Sequence, residues 1–190
     1  MAYEYDFFLS YKNNNVTNYW VSKFVENLEY WLTQELGGKP PRFFFDKESI
    51  ETGSKWPSKL QEGIKTSKCL ICIWTPEYFR SKWCLSEWES FMEREKQKDG
   101  AELIIPVRFH DGESFPIEAQ NRQSLDVRDF NYTVKSFWDG EKAEGLEDLI
   151  KKLSLDISRV IKSAPIFEPN FPIIIHQEEP DAPYPTSLRL

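Results

Sequence analysis

The sequence predicts an α/β fold of the flavodoxin-like type, a five-stranded, mostly parallel sheet flanked by helices on both faces. Short apolar runs alternate along the chain with longer segments whose apolar residues recur at helical spacing. One run, residues 69–74, is apolar throughout, as expected for a central strand buried on both faces. Strands that alternate with helices favour right-handed crossovers and hence a parallel sheet.

The first two strands and the helix between them follow from local patterns. Residues 3–9 mix aromatic and aliphatic side chains and end in a polar cluster at residues 10–15, which predicts a first strand and its exit loop. From Thr17 onward, apolar residues recur at the spacing of a helix, and the pattern stops at the glycine and proline pairs of residues 37–41. This pattern predicts the helix. Residues 42–45 then predict a short second strand.

The segment before the central strand is predicted to be a loop followed by a helix. The loop covers residues 46–55 and contains Gly53, which gives its backbone conformational freedom. Trp56 and Pro57 then open a helix that extends to about residue 65.

The second half of the chain continues the alternation. A helical segment runs from residue 76 to residue 98 and is interrupted at Ser81, where a serine can cap its second part. Residues 103–107 predict a fourth strand and residues 124–127 a weaker fifth. The last helix is predicted at residues 146–161, because its apolar residues share one face.

The chain is predicted to form one domain, residues 1–163, followed by a proline-rich tail, residues 164–190. Its 190 residues suit one buried core better than two. Six prolines in the tail exclude a regular helix there. The apolar residues 171–175 are expected to dock as an edge strand on the domain or on a partner, and residues 178–190 to be mobile.

Composition excludes several classes of protein. Hydrophobic residues make up 40% and aromatic residues 15% of the chain, unlike disordered proteins. The net charge of -7 argues against direct, sequence-independent binding to nucleic acid. The N-terminus lacks the pattern of a signal peptide, and no apolar run approaches the roughly 20 residues that span a bilayer. We therefore expect a cytoplasmic protein without membrane contact.

The cysteines and histidines do not predict a metal or redox site. Three cysteines are an odd number and too few for a disulfide framework. Cys69 and Cys72 spell C-x-x-C, but strand alternation sends them to opposite faces, so we expect small core residues. Neither His110 nor His176 lies in a motif. The sequence therefore predicts no metal and no cofactor.

Glu87 is the strongest candidate for a chemical role. It ends the run S-K-W-C-L-S-E at residues 81–87, on a helix that directly follows the central strand. Open α/β sheets bind ligands at such strand-to-helix switch points. At about 100° per residue it falls between Trp83 and Phe91 at the edge of an apolar arc, which predicts a half-buried carboxylate. The alternative is an ordinary glutamate on a helix surface.

Four separated segments resemble, in chain order, motifs of the Toll/interleukin receptor (TIR) domain family, in particular its bacterial and plant-like branch. They are residues 5–11, which match the opening box; residues 46–53, the BB loop; residues 67–69, which lead into the buried strand; and residues 81–87, the W-C-x-x-E motif. The resemblance covers residues 3–162 and implies the TIR fold.

The resemblance implies one of two kinds of activity. Some members of the family cleave NAD+ between nicotinamide and ribose, and others only assemble with one another as signalling scaffolds. In the enzymatic members the glutamate four residues after a tryptophan is catalytic, and Glu87 lies four residues after Trp83. This match favours an NAD+ nucleosidase whose product is ADP-ribose or a cyclic or transferred ADP-ribosyl compound.

The opening box is expected to contribute residues that bind NAD+. Phe8, Ser10, Tyr11 and Lys12 lie at the carboxyl end of the first strand, which is the expected rim of the ligand crevice. Lys12 is the expected contact for the pyrophosphate. Alternation along the strand lets only one of the two neighbouring phenylalanines reach the site, and we expect it to be Phe8.

The BB loop and the W-C-x-x-E motif are expected to complete the site. Asp46 and Glu51 match acidic positions of the family, Trp56 is expected to line the base of the loop, and Trp83 to shape the pocket beside the catalytic glutamate. For the two loop acids, the alternative is an ordinary polar surface loop.

Two other functions remain open. A non-enzymatic module would use the BB loop and helix surfaces for homotypic contacts, with Glu87 purely structural. Another flavodoxin-like nucleotide binder is the third reading, because this architecture hosts many functions. The resemblance also implies self-association through TIR contacts and an activator or downstream effector protein, in bacterial antiphage defence or immune signalling.

Overall fold

The computed structural model describes residues 2–14, 16–45 and 58–176, and within them one parallel sheet has the strand order β2-β1-β3-β4-β5. The strands are β1 (Tyr5–Tyr11), β2 (Phe43–Phe44), β3 (Ser67–Trp74), β4 (Ile104–Arg108) and β5 (Leu125–Asp126). The five-stranded α/β prediction is therefore confirmed.

Helices cover both faces of the sheet. They are α1 (Asn18–Glu35), α2 (Ser58–Thr66), α3 (Lys82–Gln97), α4 (Ile117–Gln120) and α5 (Glu141–Ser163). One hydrophobic core lies between the sheet and α1 and α5, and a second lies between the sheet and α2, α3 and α4. No helix in these described ranges is long and apolar enough to cross a bilayer.

The central strand β3 supplies side chains to both cores. Its residues 69, 71 and 73 point towards α1 and α5, and residues 70, 72 and 74 point towards α3. Cys69 and Cys72 therefore lie on opposite faces as buried core residues, as their spacing predicts.

The boundaries of several elements differ from the prediction, and those of β1 and α5 differ most. β1 begins and ends two residues later than predicted, so Ser10 and Tyr11 are strand residues paired with Cys72 and Ile73 rather than loop residues. The polar Ser10 remains in the strand because its hydroxyl finds hydrogen-bond partners in the interior. α5 begins at Glu141 rather than at residue 146.

The sheet has a topological switch point between β1 and β3. The chain moves outward from β1 to β2, and from β3 onward it adds strands in the opposite direction. Ligands of open α/β sheets bind at the carboxyl ends of the strands at such points. α3 follows β3, and Ser81 caps it by accepting a hydrogen bond from the Cys84 N–H at 3.5 Å. The first turns of α3 therefore lie at the switch point.

Residues 164–176 pack along α3 after leaving α5. The Ile174 N–H donates to Ser90 Oγ at 2.8 Å, and the His176 N–H donates to Ser86 Oγ at 2.9 Å. The expected edge strand at residues 171–175 is therefore wrong. The backbone of this segment bonds to the serine side chains of α3 instead of to a sheet edge.

Phe171 anchors the same segment near the other end of α3. It is buried, and the Arg94 guanidinium carbon lies 4.1 Å from the centre of its ring. Arg94 itself is fully buried and donates to the carbonyls of Ile64, at 2.7 Å, and Ser67, at 2.8 Å. Burial lowers the pKa of Arg94 to about 10, so it remains cationic at neutral pH.

The substitution Arg94→Met is expected to lower the free energy of unfolding by roughly 2 kcal/mol, because it leaves two buried carbonyls unpaired. Urea denaturation measures the effect. The control is Arg159→Met, which removes an exposed ion pair with Asp156 and is expected to cost less than about 0.5 kcal/mol. Equal denaturation midpoints for the two variants would show that Arg94 does not hold α2 and β3 together.

Candidate active site

Glu87 lies on the second turn of α3, against the carboxyl end of β1. Its side chain is more deeply buried than predicted, since the residue is only 7% exposed. The reason is that β1 ends two residues later than predicted, so Ser10 is a strand residue that lies against α3. Ser10 Oγ donates a hydrogen bond to Glu87 Oε2, so the carboxylate is held by a residue 77 positions earlier in the chain.

Tyr78 is a neighbour of this pair that the sequence reasoning missed. It lies in a 3₁₀ helix, Tyr78–Arg80, between β3 and α3, and its hydroxyl is 2.8 Å from Ser10 Oγ. Its N–H donates to Thr75 Oγ1 at 3.1 Å, which fixes the turn. The available signal was chemical: a tyrosine in an apolar segment needs a partner for its hydroxyl.

The groups around Glu87 are kept neutral by burial. Burial raises the pKa of the Tyr78 phenol well above its ordinary value, and the charge of Glu87 adds to the shift. Burial is also the main cause that raises the pKa of the Cys84 thiol. The negative charge of Glu87 raises this pKa further, and the positive charge of Lys12 lowers it. Lys12 itself is exposed and directly follows β1. Cys84 remains a thiol and is not an activated nucleophile.

The three cysteines are expected to be unreactive in the folded protein. All are buried, and burial raises the pKa of each thiol, so the reactive thiolate is scarce at neutral pH. We expect Ellman's reagent to modify none of them in native protein and all of them in urea. Rapid modification of a native thiol would contradict this description of the core.

The other predicted residues of the opening box divide between the two faces of β1. Phe8 lies on the α3 face but is only 1% exposed, and its ring stacks on Phe44 at a centroid distance of 5.0 Å. It therefore packs in the core and leaves almost no surface for a ligand, contrary to the expectation. Tyr11 lies on the opposite face, with its ring 5.6 Å from that of Phe45.

Trp83 lies one helical turn before Glu87 on the same side of α3, as the four-residue spacing requires. It is partly buried and packs against the core on that face of the sheet. Trp83 and Glu87 thus form adjacent parts of one surface. The remaining predicted residues, Asp46, Glu51 and Trp56, lie outside the described residues.

A cavity of about 270 Å³ lies elsewhere, near the carboxyl ends of β3 and β4, and Glu87 does not line it. Its lining includes Trp74 and four charged residues, namely Arg108, Asp111, Glu113 and Arg122. The charges are balanced, and Arg122 also forms a bidentate pair with Glu95 at 3.0 and 2.6 Å. In the described ranges, no cluster of three or more His, Cys, Asp or Glu side chains could hold a metal ion.

Several known proteins are similar to this chain. Disease resistance protein RUN1 of Vitis rotundifolia is 29% identical over 107 residues, which cover 56% of this chain and 7% of RUN1. The NAD(+) hydrolase TirS of Staphylococcus aureus is 26% identical over 151 residues, which cover 79% of this chain and 46% of TirS. The chain thus spans less than half the length of either relative.

A solved structure with similarity to this chain is the TIR domain of the Toll-related receptor TRR-2 from Hydra magnipapillata. It is 17% identical and has a TM-score of 0.45, with 76% of this chain and 98% of that chain covered.

The family is shown by a match that extends over most of the chain. The sequence model of the TIR domain matches residues 7–139, from β1 to the segment just before α5. The matched region contains residues 7–11 of the opening box, β3 and the W-C-x-x-E motif with Glu87. The chain belongs to the TIR domain family.

Proposed function

We propose that this protein is an NAD+ nucleosidase that cleaves the bond between nicotinamide and ribose, with Glu87 as its catalytic residue. The observation that carries the proposal is the carboxylate of Glu87 at the switch point of the sheet, oriented by Ser10 and one turn from Trp83. The similarity to TirS, which is named an NAD(+) hydrolase, supports the choice of substrate.

The chemistry requires little more than a well-placed negative charge. The nicotinamide of NAD+ is cationic, so it leaves with the electron pair of the glycosidic bond and needs no proton. The ribose carbon then carries developing positive charge, as in glycoside hydrolysis. A carboxylate fixed in a site of low dielectric stabilises that charge more strongly than one in water. Attack by water gives ADP-ribose, and attack by another acceptor gives a cyclic or transferred product.

The surrounding residues are assigned to binding. Trp83 provides a flat apolar wall beside Glu87 for the nicotinamide ring. Lys12, which follows the carboxyl end of β1, is assigned to the pyrophosphate. Ser10 is assigned to orienting the Glu87 carboxylate, and Asp46, Glu51 and Trp56 of the loop are assigned to binding. Phe8, which packs in the core, and Tyr11, which lies on the opposite face of β1, are not assigned to the site.

The rival function is a scaffold that acts through homotypic TIR contacts, with Glu87 as a structural residue. The deep burial of Glu87 and its bond to Ser10 are also what a structural role would require. Self-association is compatible with both functions. We assign the protein to the cytoplasm, where it would act with an activator or an effector in antiphage defence or immune signalling.

Incubation of the full chain with NAD+ separates the two functions. We expect the release of nicotinamide, with ADP-ribose or an isomer of it as the second product, and the release should increase with protein concentration if assembly completes the site. Chromatography identifies both products. Intact NAD+ after prolonged incubation with concentrated, self-associated protein would favour the scaffold.

A further inference from the structure

A second hydroxyl lies behind Ser10 in the protein interior. Tyr78 is 0% exposed, and its hydroxyl oxygen is 2.8 Å from Ser10 Oγ. Ser10 Oγ in turn donates to Glu87 Oε2. These three side chains therefore form one buried row. Ser10 lies at the end of β1, Tyr78 in the connection between β3 and α3, and Glu87 on α3.

The number of protons fixes the direction of these hydrogen bonds. A serine hydroxyl has one proton, and an ionised carboxylate can only accept. Because Ser10 donates its proton to Glu87, it must accept a hydrogen bond from Tyr78. Tyr78 retains its own proton, since burial raises the pKa of the phenol well above its ordinary value. The donors therefore run from Tyr78 to Ser10 to Glu87.

The hydroxyl of Tyr78 is held in place independently of Ser10. Its ring packs edge-on against Phe79, with 5.2 Å between the ring centroids. Its backbone N–H donates to two oxygens of Thr75, the side-chain Oγ1 and the carbonyl oxygen, each at 3.1 Å. A donor fixed in this way can orient the Ser10 hydroxyl, which is otherwise free to rotate about its C–O bond.

We propose that Tyr78 is a positioning residue for Glu87 and acts through Ser10, an inference that rests on the proposed cleavage of NAD+. Tyr78 directs the Ser10 proton towards Glu87 Oε2 and, by polarising the hydroxyl, strengthens that bond. The carboxylate is thereby held in one orientation before positive charge develops on the ribose, so it does not have to reorganise during the reaction. Ser10 accordingly contacts Glu87 rather than the substrate.

A double-mutant cycle in the full chain tests the proposal. Tyr78→Phe keeps the packed ring and removes only the hydroxyl, so we expect kcat for nicotinamide release to fall about tenfold with KM nearly unchanged. Ser10→Ala is expected to lower kcat at least as much. Because Tyr78 acts only through Ser10, the double variant should have the kcat of Ser10→Ala alone.

The matched control is Tyr3→Phe. It also removes a tyrosine hydroxyl, which donates to the Pro165 carbonyl at 2.9 Å near the start of β1, at the opposite end of that strand from Ser10. Its kcat should equal that of the wild type. If Tyr78 is merely structural, Tyr78→Phe should lower kcat by the same factor in the wild-type and in the Ser10→Ala background. Such additive losses would overturn the proposal. A wild-type kcat in Tyr78→Phe would overturn it as well.

The failure of this proposal can be distinguished from failure of the proposed function. If the wild type releases nicotinamide and Glu87→Gln does not, the cycle decides the role of Tyr78 alone. If the wild type releases no nicotinamide, the proposed function is wrong. The role of Tyr78 is then decided by the crystal structure of Tyr78→Phe. A changed orientation of the Glu87 carboxylate in that variant supports positioning, and an unchanged orientation overturns it.

Discussion

Glu87→Gln is expected to lower kcat for NAD+ cleavage about a thousandfold, the size of effect that follows loss of one preorganised electrostatic group. Glutamine has the shape of glutamate and its side-chain oxygen can still accept the Ser10 hydrogen bond, so the substitution removes the charge and little else. Steady-state assays of nicotinamide release measure the effect. Glu87→Ala should be at least as inactive but also loses the hydrogen bond.

The stability of the same variant distinguishes catalysis from structure. A buried carboxylate carries a desolvation cost that glutamine largely avoids, so the melting temperature of Glu87→Gln should equal or exceed that of the wild type. The control is Glu89→Gln on the same helix, whose carboxylate is half exposed and lies 2.8 Å from His176 Nε2. It should keep wild-type kcat. A large loss of stability without loss of activity in Glu87→Gln would indicate a structural glutamate.

Trp83→Ala is the substitution with the second largest expected effect on NAD+ cleavage, about a hundredfold in kcat/KM. Trp83 shares the surface of Glu87, and its removal takes away both apolar contact with the nicotinamide and shielding of the carboxylate from water. Trp83→Phe retains an aromatic wall and should recover most of the activity. The assay is the dependence of nicotinamide release on NAD+ concentration.

Trp138→Ala is the matched control for Trp83. Trp138 packs against the core on the α1 and α5 face, on the other side of the sheet from Glu87. Its loss should lower the melting temperature while leaving kcat/KM per folded molecule unchanged. Equal losses of kcat/KM in the two alanine variants would show that Trp83 affects activity only through the fold.

The fold could be predicted because its strongest signals are local. The apolar run of β3 and the helical periodicity of α1 and α5 are properties of short sequence windows, and they determine the layers of the sheet. The position of Glu87 after β3 follows from the same windows. The error at the end of β1 has a clear cause, since Ser10 was interpreted as the start of a loop and is instead satisfied by Glu87 and Tyr78.

The parts that could not be predicted depend on contacts between distant residues. Tyr78 meets Ser10 across 68 positions of the chain, and only the parallel pairing of β1 with β3 brings them together. The expected edge strand at residues 171–175 is wrong for the same reason, since its backbone bonds to α3 instead. Ser86 and Ser90 lie four residues apart on one side of α3, but this spacing does not identify the segment that bonds to them.

The role of Glu87 in the cleavage of NAD+ is decided by one comparison of the wild type with a single variant. Nicotinamide released from NAD+ is quantified by chromatography for the wild type and for Glu87→Gln at the same protein concentration, with the fold of each checked by circular dichroism. We expect release by the wild type and about a thousandfold less by the variant, with identical spectra. Equal release by the two proteins would contradict the assignment of Glu87 as the catalytic residue.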